Sequence, residues 1–420
     1  MAHHTARASY EELTRRLNKF PVGAPPTELF YDILAMLFTE REARLVAQLP
    51  VAPFKAVDAA RAWGTSATQA ERELDRLVAR SLLIDTCFDG ERRYFLPPPM
   101  AGFFEFSMMR TDGHVDKQTL AELFHRYMNV EDEFVRELYE PGETQLGRAL
   151  VHEPALAPLD ELHVLDHERA SVIIGEAHHL GVGLCYCRHK MEHLGKACDA
   201  PLELCLSLNA AAETLIRQGI VRPIEPAEGL DLLAAAYEHD LVQFAENVRL
   251  GVNFICNCCS CCCETMIAAR RFAVLRPVHT TRFMPVVDEQ ACGGCGRCAE
   301  MCPVEAMRQE LPGAAPTVDR SVCIGCGICS RNCAQRAILL AVRPERIVTP
   351  LDSAHRTVVM AIERGKLQNL IFSEQGLASH RALAAVLGVI LRLPPVKQVM
   401  ASRQIKSRYL EGLIARRRYW

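Results

Sequence analysis

One spacing constrains this chain more than any other. Cysteines recur as Cys292-x2-Cys295-x2-Cys298-x3-Cys302, followed by Pro303, and about 31 residues later as Cys323-x2-Cys326-x2-Cys329-x3-Cys333. Three thiolates stepping by three residues can wrap three corners of one compact centre while the amides of the tight loop turn toward it. Gly293, Gly294, Gly296, Gly325 and Gly327 lie between them and are expected to allow positive φ and close approach of the main chain. Pro303 ends the first loop by fixing φ and removing a donor; Ala334 stands in its place in the second.

Composition indicates what the thiols are for. The 420-residue chain has 19 cysteines: Cys87 stands alone, and the others fall in three dense groups between Cys185 and Cys333. The opening stretch MAHHTARASYEELTRRLNKF has an Arg15-Arg16 pair but no apolar run like that of an export signal, and Pro21, Pro25 and Pro26 follow. A short amphipathic helix and a cytoplasmic location are expected, and there reduced cysteine clusters serve metals rather than disulfides. The apolar run Ala382 to Leu391 is too short for a membrane span, which takes about 20 residues. A formal net charge of -3 gives no global attraction to nucleic acid or anionic lipid. With no Walker A loop and no GxGxxG after a strand, no nucleotide or flavin site is expected.

Zinc ribbons also use CxxC pairs, but three cysteines at steps of three, twice, with glycine between them, suit iron–sulfur ligation better. The segment from about Arg282 to Val342 resembles a two-cluster bacterial ferredoxin. That resemblance implies two short hairpin-and-helix halves around two [4Fe-4S] cubanes. The fourth cysteine of each run would serve the other cluster: Cys292, Cys295, Cys298 and Cys333 would hold one, and Cys302, Cys323, Cys326 and Cys329 the second.

Upstream, Cys185, Cys187, Cys198 and Cys205 follow the pattern C-x-C-x10-C-x6-C. Helical periodicity over Glu203 to Arg217, stopping at Gly219, predicts Cys205 near a helix start and the first three cysteines on the preceding loop. Arg188, His189, Lys190, His193 and Lys196 would offset the charge of a thiolate-bound centre. After a helical stretch near Leu230 to Asn247 comes CNCCSCCC, with Cys256, Cys258, Cys259, Cys261, Cys262 and Cys263, and then a helix over Thr265 to Leu275. Packing does not require such a run, since Ala or Val fills a small core site without the hazard of oxidation.

Alternate side chains of an extended chain point to opposite sides. Cys256, Cys258 and Cys261 are therefore expected to face one centre, and Cys259, Cys262 or Cys263 another. The ten thiols fill at most two four-thiolate sites, so one or two further iron–sulfur centres are expected. The alternatives are a structural zinc on Cys185, Cys187, Cys198 and Cys205, or a reactive dithiol within the run. His178, His179, His189 and His193 are read as neighbours rather than ligands. The CxCR segment, the C-x6-C pair, the CNCCxCCC run (with Ser260 at x) and the dicluster module together resemble multi-cluster [4Fe-4S] ferredoxin-like proteins of anaerobic bacteria, over about residues 160 to 342. The resemblance implies iron–sulfur binding and carries no particular reaction.

Residues 27 to 106 read as helices over Thr27 to Phe38, Glu40 to Gln48, AVDAARAW and ATQAERELDRLVARSLL, then a hairpin turning at Asp89-Gly90. This order resembles a winged helix, a fold that often reads DNA. Glu71, Glu73 and Asp75 beside Arg72 and Arg76 leave the would-be recognition helix nearly neutral, which favours protein docking over phosphate, although Arg92 and Arg93 lie on the wing. Cys87 is expected to be a core or hairpin residue. After Pro350 two helices and, beyond Pro394-Pro395, a basic helix ending ARRRYW are expected to cap the module or to meet an acidic partner or a membrane surface.

The expected fold class is α+β, mostly helical and multidomain. It comprises an N-terminal helix and linker at 1–26, a winged-helix-like domain at 27–106, a helical cysteine-rich middle domain at 107–275, a two-cluster ferredoxin-like domain at 282–342 and a helical extension at 343–420. The expected function is electron transfer to or from a partner redox protein or as an oxidoreductase subunit, with no catalytic residue assigned. The alternatives are a redox-sensing transcription regulator acting through the winged helix, and a reductase with its catalytic centre in the cysteine-rich middle.

Overall fold

The computed structural model describes residues 2–391 except 89, 112, 114, 157–164, 346 and 375–377. The fold is α+β, about 46% helical with small sheets. It divides into two compact units, one made of the described residues of 1–144 and 353–420, the other of those of 145–352.

The first unit opens with α1 (Ala2–Leu17), followed by α2 (Glu28–Leu37), α3 (Glu40–Ala47), α4 (Ala56–Trp63) and α5 (Ala67–Ala79). Thr27, Thr39 and Ser66 start α2, α3 and α5 by accepting hydrogen bonds from the amides of Phe30, Glu42 and Gln69. Gly64, at φ 63°, ends α4 in the left-handed conformation. β1 (Ile84–Phe88) and β2 (Glu91–Phe95) form an antiparallel hairpin in which Ile84 faces Phe95 and Phe88 faces Glu91. Asp89 of the predicted turn lies outside the described residues. Cys87 is a hairpin residue opposite Arg92, and exposed rather than in the core.

The helices α6 (Phe104–Met109), α7 (Lys117–His125) and α8 (Glu133–Tyr139) follow. They gather around packed rings, with Phe104 4.5 Å from Phe124 and Tyr127 4.9 Å from Phe134.

Beyond residue 145 the structure departs from the expectation of a helical middle. β3 (Gly147–Ala149), α9 (Ala170–Gly175), β4 (Leu180–Gly183), α10 (Tyr186–His193), β5 (Cys205–Leu208), α11 (Asn209–Arg217), β6 (Arg222–Pro223), α12 (Pro226–Glu238), β7 (Val242–Glu246) and β8 (Phe254–Cys258) come before α13 (Glu264–Arg271). The strands make one six-stranded antiparallel sheet of order β3-β7-β8-β5-β4-β6. They are short, and every residue of β4 and β7 is buried, so they show no polar–apolar alternation to set them apart from neighbouring helices. The stretch read as a helix from Glu203 is β5 running straight into α11 through Asn209, at φ 50°; the helix read to Asn247 ends at α12, and Asp240, at φ 52°, turns the chain into β7. Asn and Asp tolerate this conformation.

Residues 283–342 carry β9 (Phe283–Val287), α14 (Arg297–Glu300), β10 (Met307–Arg308), β11 (Thr317–Val318), α15 (Ile328–Arg331) and β12 (Ile338–Val342). β9 pairs with β12 and β10 with β11, both antiparallel. The sequence repeat is also a backbone repeat. The Asp288 amide donates to Ala337 O and the Asp319 amide to Ala306 O, both at 2.8 Å, so each half closes on the other.

The helices α16 (Ser353–Glu363), α17 (Leu367–Ile371) and α18 (Ala378–Leu391) belong to the first unit, where Val358, Ala361, Ile362, Leu367 and Leu370 pack with Val51. The basic helix expected after Pro395 lies outside the described residues. Among the described residues no helix is long and apolar enough to cross a membrane.

Candidate metal centres

In the 292–333 segment, Cys292, Cys295 and Cys298 lead into or lie on α14, and Cys323, Cys326 and Cys329 do the same for α15; Cys302 and Cys333 follow the two helices. Gly296 and Gly327 start these helices at φ 75° and 86°. Gly294 and Gly325 are also left-handed, and a Cβ there would stand 2.0 Å from Gly313 O or 2.2 Å from Phe283 O. Only glycine leaves the main chain that close. Gly293 differs from expectation: its φ is not positive, and what it makes room for is the Gln335 side chain.

The amide of Ala306 donates to Cys302 Sγ at 3.2 Å and that of Ala337 to Cys333 Sγ at 3.3 Å. Main-chain amides turned toward sulfur in this way are the outer contacts that orient a metal-bound cysteine. Burial pushes the thiols of Cys323, Cys326 and Cys329 up, and the charge of Cys302 adds to it in all three; Cys329 also feels Cys298. Cys298 is raised by burial and by the charges of Cys295 and Cys292. Cys302 thus lies near the cysteines of the other run.

The ten middle cysteines separate into six and four. β8 places Cys256 and Cys258 on one face, two residues apart. Its register with β5 brings Cys205 across from Cys256, with the sulfurs 4.0 Å apart. Cys185 and Cys263 occupy the N-cap positions of α10 and α13. Cys187 shares hydrogen bonds with Cys185 and Cys263, and Cys258 with Cys256 and Cys263, which closes the set of Cys185, Cys187, Cys205, Cys256, Cys258 and Cys263.

Within this set the bond from Cys205 and then that from Cys258 hold Cys256 well below the usual thiol range, and those from Cys187 and Cys258 do the same for Cys263. Cys187 is pushed up by burial first, and Cys258 by its bond to Cys256.

Cys198, Cys259, Cys261 and Cys262 form the other set, with all four sulfurs within 4.8 Å of one another. The bond from Cys262 is the main cause that lowers Cys259 to about 4, and the nearby Arg188 charge lowers it further against burial; burial raises Cys261 to about 12. The expected grouping of Cys198 with Cys185, Cys187 and Cys205 is therefore not what the fold brings together, and Cys261 and Cys263 have exchanged sides. Strand alternation stops at Cys258, where β8 ends; the turn that follows sets the later sulfurs.

Arg188 joins the two sets. It is 1% exposed, donates to Pro201 O at 2.5 Å, to Asn257 O at 3.1 Å and to Cys259 Sγ at 3.8 Å, and is raised by the charges of Cys185, Cys259 and Cys198 against burial. Its buried Nε has no protein partner among the described residues, as fits a place beside an anionic centre. Lys190 is fully buried and pairs with Glu264, so its charge is matched there.

His189 and His193 stand one turn apart on α10 with their rings 4.8 Å apart. Sequence reading missed Glu264 and Asn257. Asn257 is buried and donates from its side chain to Leu204 O at 2.8 Å, tying β8 to the residue that leads into β5. Their only signal was a polar residue inside and just after a cysteine run.

Residues 285–308, around the first of the two repeated runs, match the family described as "4Fe-4S binding domain". This is an iron–sulfur protein, with at least one [4Fe-4S] cluster. The match spans a small part of the chain, and neither a curated protein nor a solved structure matches it.

Proposed function

We propose that the protein transfers electrons between two [4Fe-4S] cubanes, held by Cys292, Cys295, Cys298 and Cys333 and by Cys302, Cys323, Cys326 and Cys329, and a third cluster in the six-thiol set, on behalf of a partner redox protein. Each cluster supplies reversible one-electron chemistry when bound; the chain's own residues hold it, donate hydrogen bonds to its thiolates and keep water away.

The observation that carries the reading is one continuous buried cluster. It contains Cys187, Cys258, Cys263 and Cys326, with Cys185, Cys256, Cys302 and Cys323 packed against it. A second buried cluster joins Cys329 to Cys298, Cys302 and Cys333. These contacts support an order in which the Cys302 cubane lies between the Cys292 cubane and the middle set.

A protein partner suits the first unit better than DNA. Arg92 is paired with Asp75 at 2.7 Å and Asp85 at 2.9 Å, Arg93 with Glu91 at 3.2 Å, and Arg76 with Glu73 at 3.4 Å. Cations already paired in this way contribute little to phosphate neutralisation.

The test is paramagnetic resonance on the fully reduced, anaerobically purified chain. Neighbouring reduced clusters broaden each other's signals, and Cys326→Ser should remove the broadening and leave the outer centres as isolated signals. Broadening that persists in Cys326→Ser and also in Cys302→Ser would refute the proposed order.

A further inference from the structure

Among the described residues, Cys198, Cys259, Cys261 and Cys262 are the group in which every sulfur converges on every other, where the six-thiol set has close pairs only. Cys198 Sγ lies 3.6 Å from Cys259 Sγ and 3.8 Å from Cys262 Sγ, the sulfurs of Cys261 and Cys262 are 3.6 Å apart, and no pair exceeds 4.8 Å. Thiolates bound at about 2.3 Å to one zinc ion sit at the corners of a tetrahedron with edges of about 3.8 Å. Thiolates that cap four different irons of a cubane stand farther apart, because an iron–iron edge and two outward iron–sulfur bonds separate each pair. The convergence therefore matches one ion.

We propose that these four cysteines form a closed tetrathiolate site for a single Zn²⁺, separate from the iron–sulfur centres. Only the identity of its six-thiol neighbour rests on the reading above. Four thiolates with one divalent cation leave a dianion, and buried Arg188, 3.8 Å from Cys259 Sγ, offsets part of that charge. The protein ligands fill all four positions, so zinc here is structural and carries no electrons.

The ion pins the loop after α10, which carries Cys198, to the turn between β8 and α13. That turn is flanked by Cys258 and Cys263 of the six-thiol set. Zinc would thus fix the spacing of the neighbouring cluster's ligands without taking part in transfer.

The experiment is metal and acid-labile sulfide analysis of the full chain, purified without air, beside Cys198→Ser/Cys261→Ser. About one zinc per chain is expected in the parent and at least a tenfold loss in the variant, with no matching loss of sulfide. Zinc-edge X-ray absorption on the unsubstituted chain gives a reading that does not depend on the variant folding: four sulfurs at about 2.3 Å support the site, and any nitrogen or oxygen in the shell overturns it. Iron and sulfide in the parent with no zinc sink this site alone. Zinc with no sulfide at all sinks the electron-transfer reading instead.

Discussion

The two cysteine-bearing regions of the second unit position their thiols by opposite means. In the 283–342 segment the thiols stand on short loops, and glycine, left-handed backbone and sulfur-directed amides do the positioning within a few residues of each cysteine. In the middle region the thiols come from helix starts, paired strands and a turn, up to 78 residues apart between Cys185 and Cys263, and buried charge fixes them. The first design tolerates change outside its loops. The second depends on the whole sheet being folded.

The largest effect should come from the buried charge that anchors the middle region. Lys190→Ala removes the cation that pairs with buried Glu264, at a cost of about 3–5 kcal/mol, read as a lower denaturation midpoint. The double variant Lys190→Met/Glu264→Leu should recover most of the loss; a single variant as stable as the parent would break the contrast.

In the loop-held region, Gly325→Ala forces a Cβ to 2.2 Å from Phe283 O in a left-handed residue. A loss on the order of 2 kcal/mol and of bound iron is expected. Gly293→Ala, which meets only the end of the Gln335 side chain, should cost less.

Arg188→Met removes a positive charge beside both middle sets. The potential of the middle cluster should fall by on the order of 60 mV, a tenfold change for one electron, while the ferredoxin-segment potentials stay within experimental error. Equal shifts in both regions would show that they are not electrostatically distinct. Cys87→Ser, on the exposed hairpin face, is the smallest case: iron content unchanged and stability within about 0.5 kcal/mol.

The same contrast governs what the sequence could reveal. Loop-held ligation is written in adjacent residues, so the cysteine steps and the glycines at 294, 296, 325 and 327 could be read directly, as could the helix boundaries at Gly64 and Ser66, set by left-handed geometry and local hydrogen bonding. The middle strands could not. Cys205-Leu206-Ser207-Leu208 is a buried strand too short to outweigh the helical run it enters at Asn209. Once β5 is missed, the register that sets Cys205 against Cys256 is invisible, and so is the reason Cys198 joins Cys259, Cys261 and Cys262. Alternation predicted the placement of Cys256 and Cys258 because they lie on a strand, and it misplaced Cys261 and Cys263 because the chain turns after Cys258.

The most direct test of a cluster chain reaching the middle region is iron and acid-labile sulfide per chain in the anaerobically purified protein and in Cys256→Ser/Cys258→Ser. The account predicts more than the about eight irons that two cubanes supply, falling to about eight in the double variant. Iron and sulfide that are identical in the two proteins would contradict it.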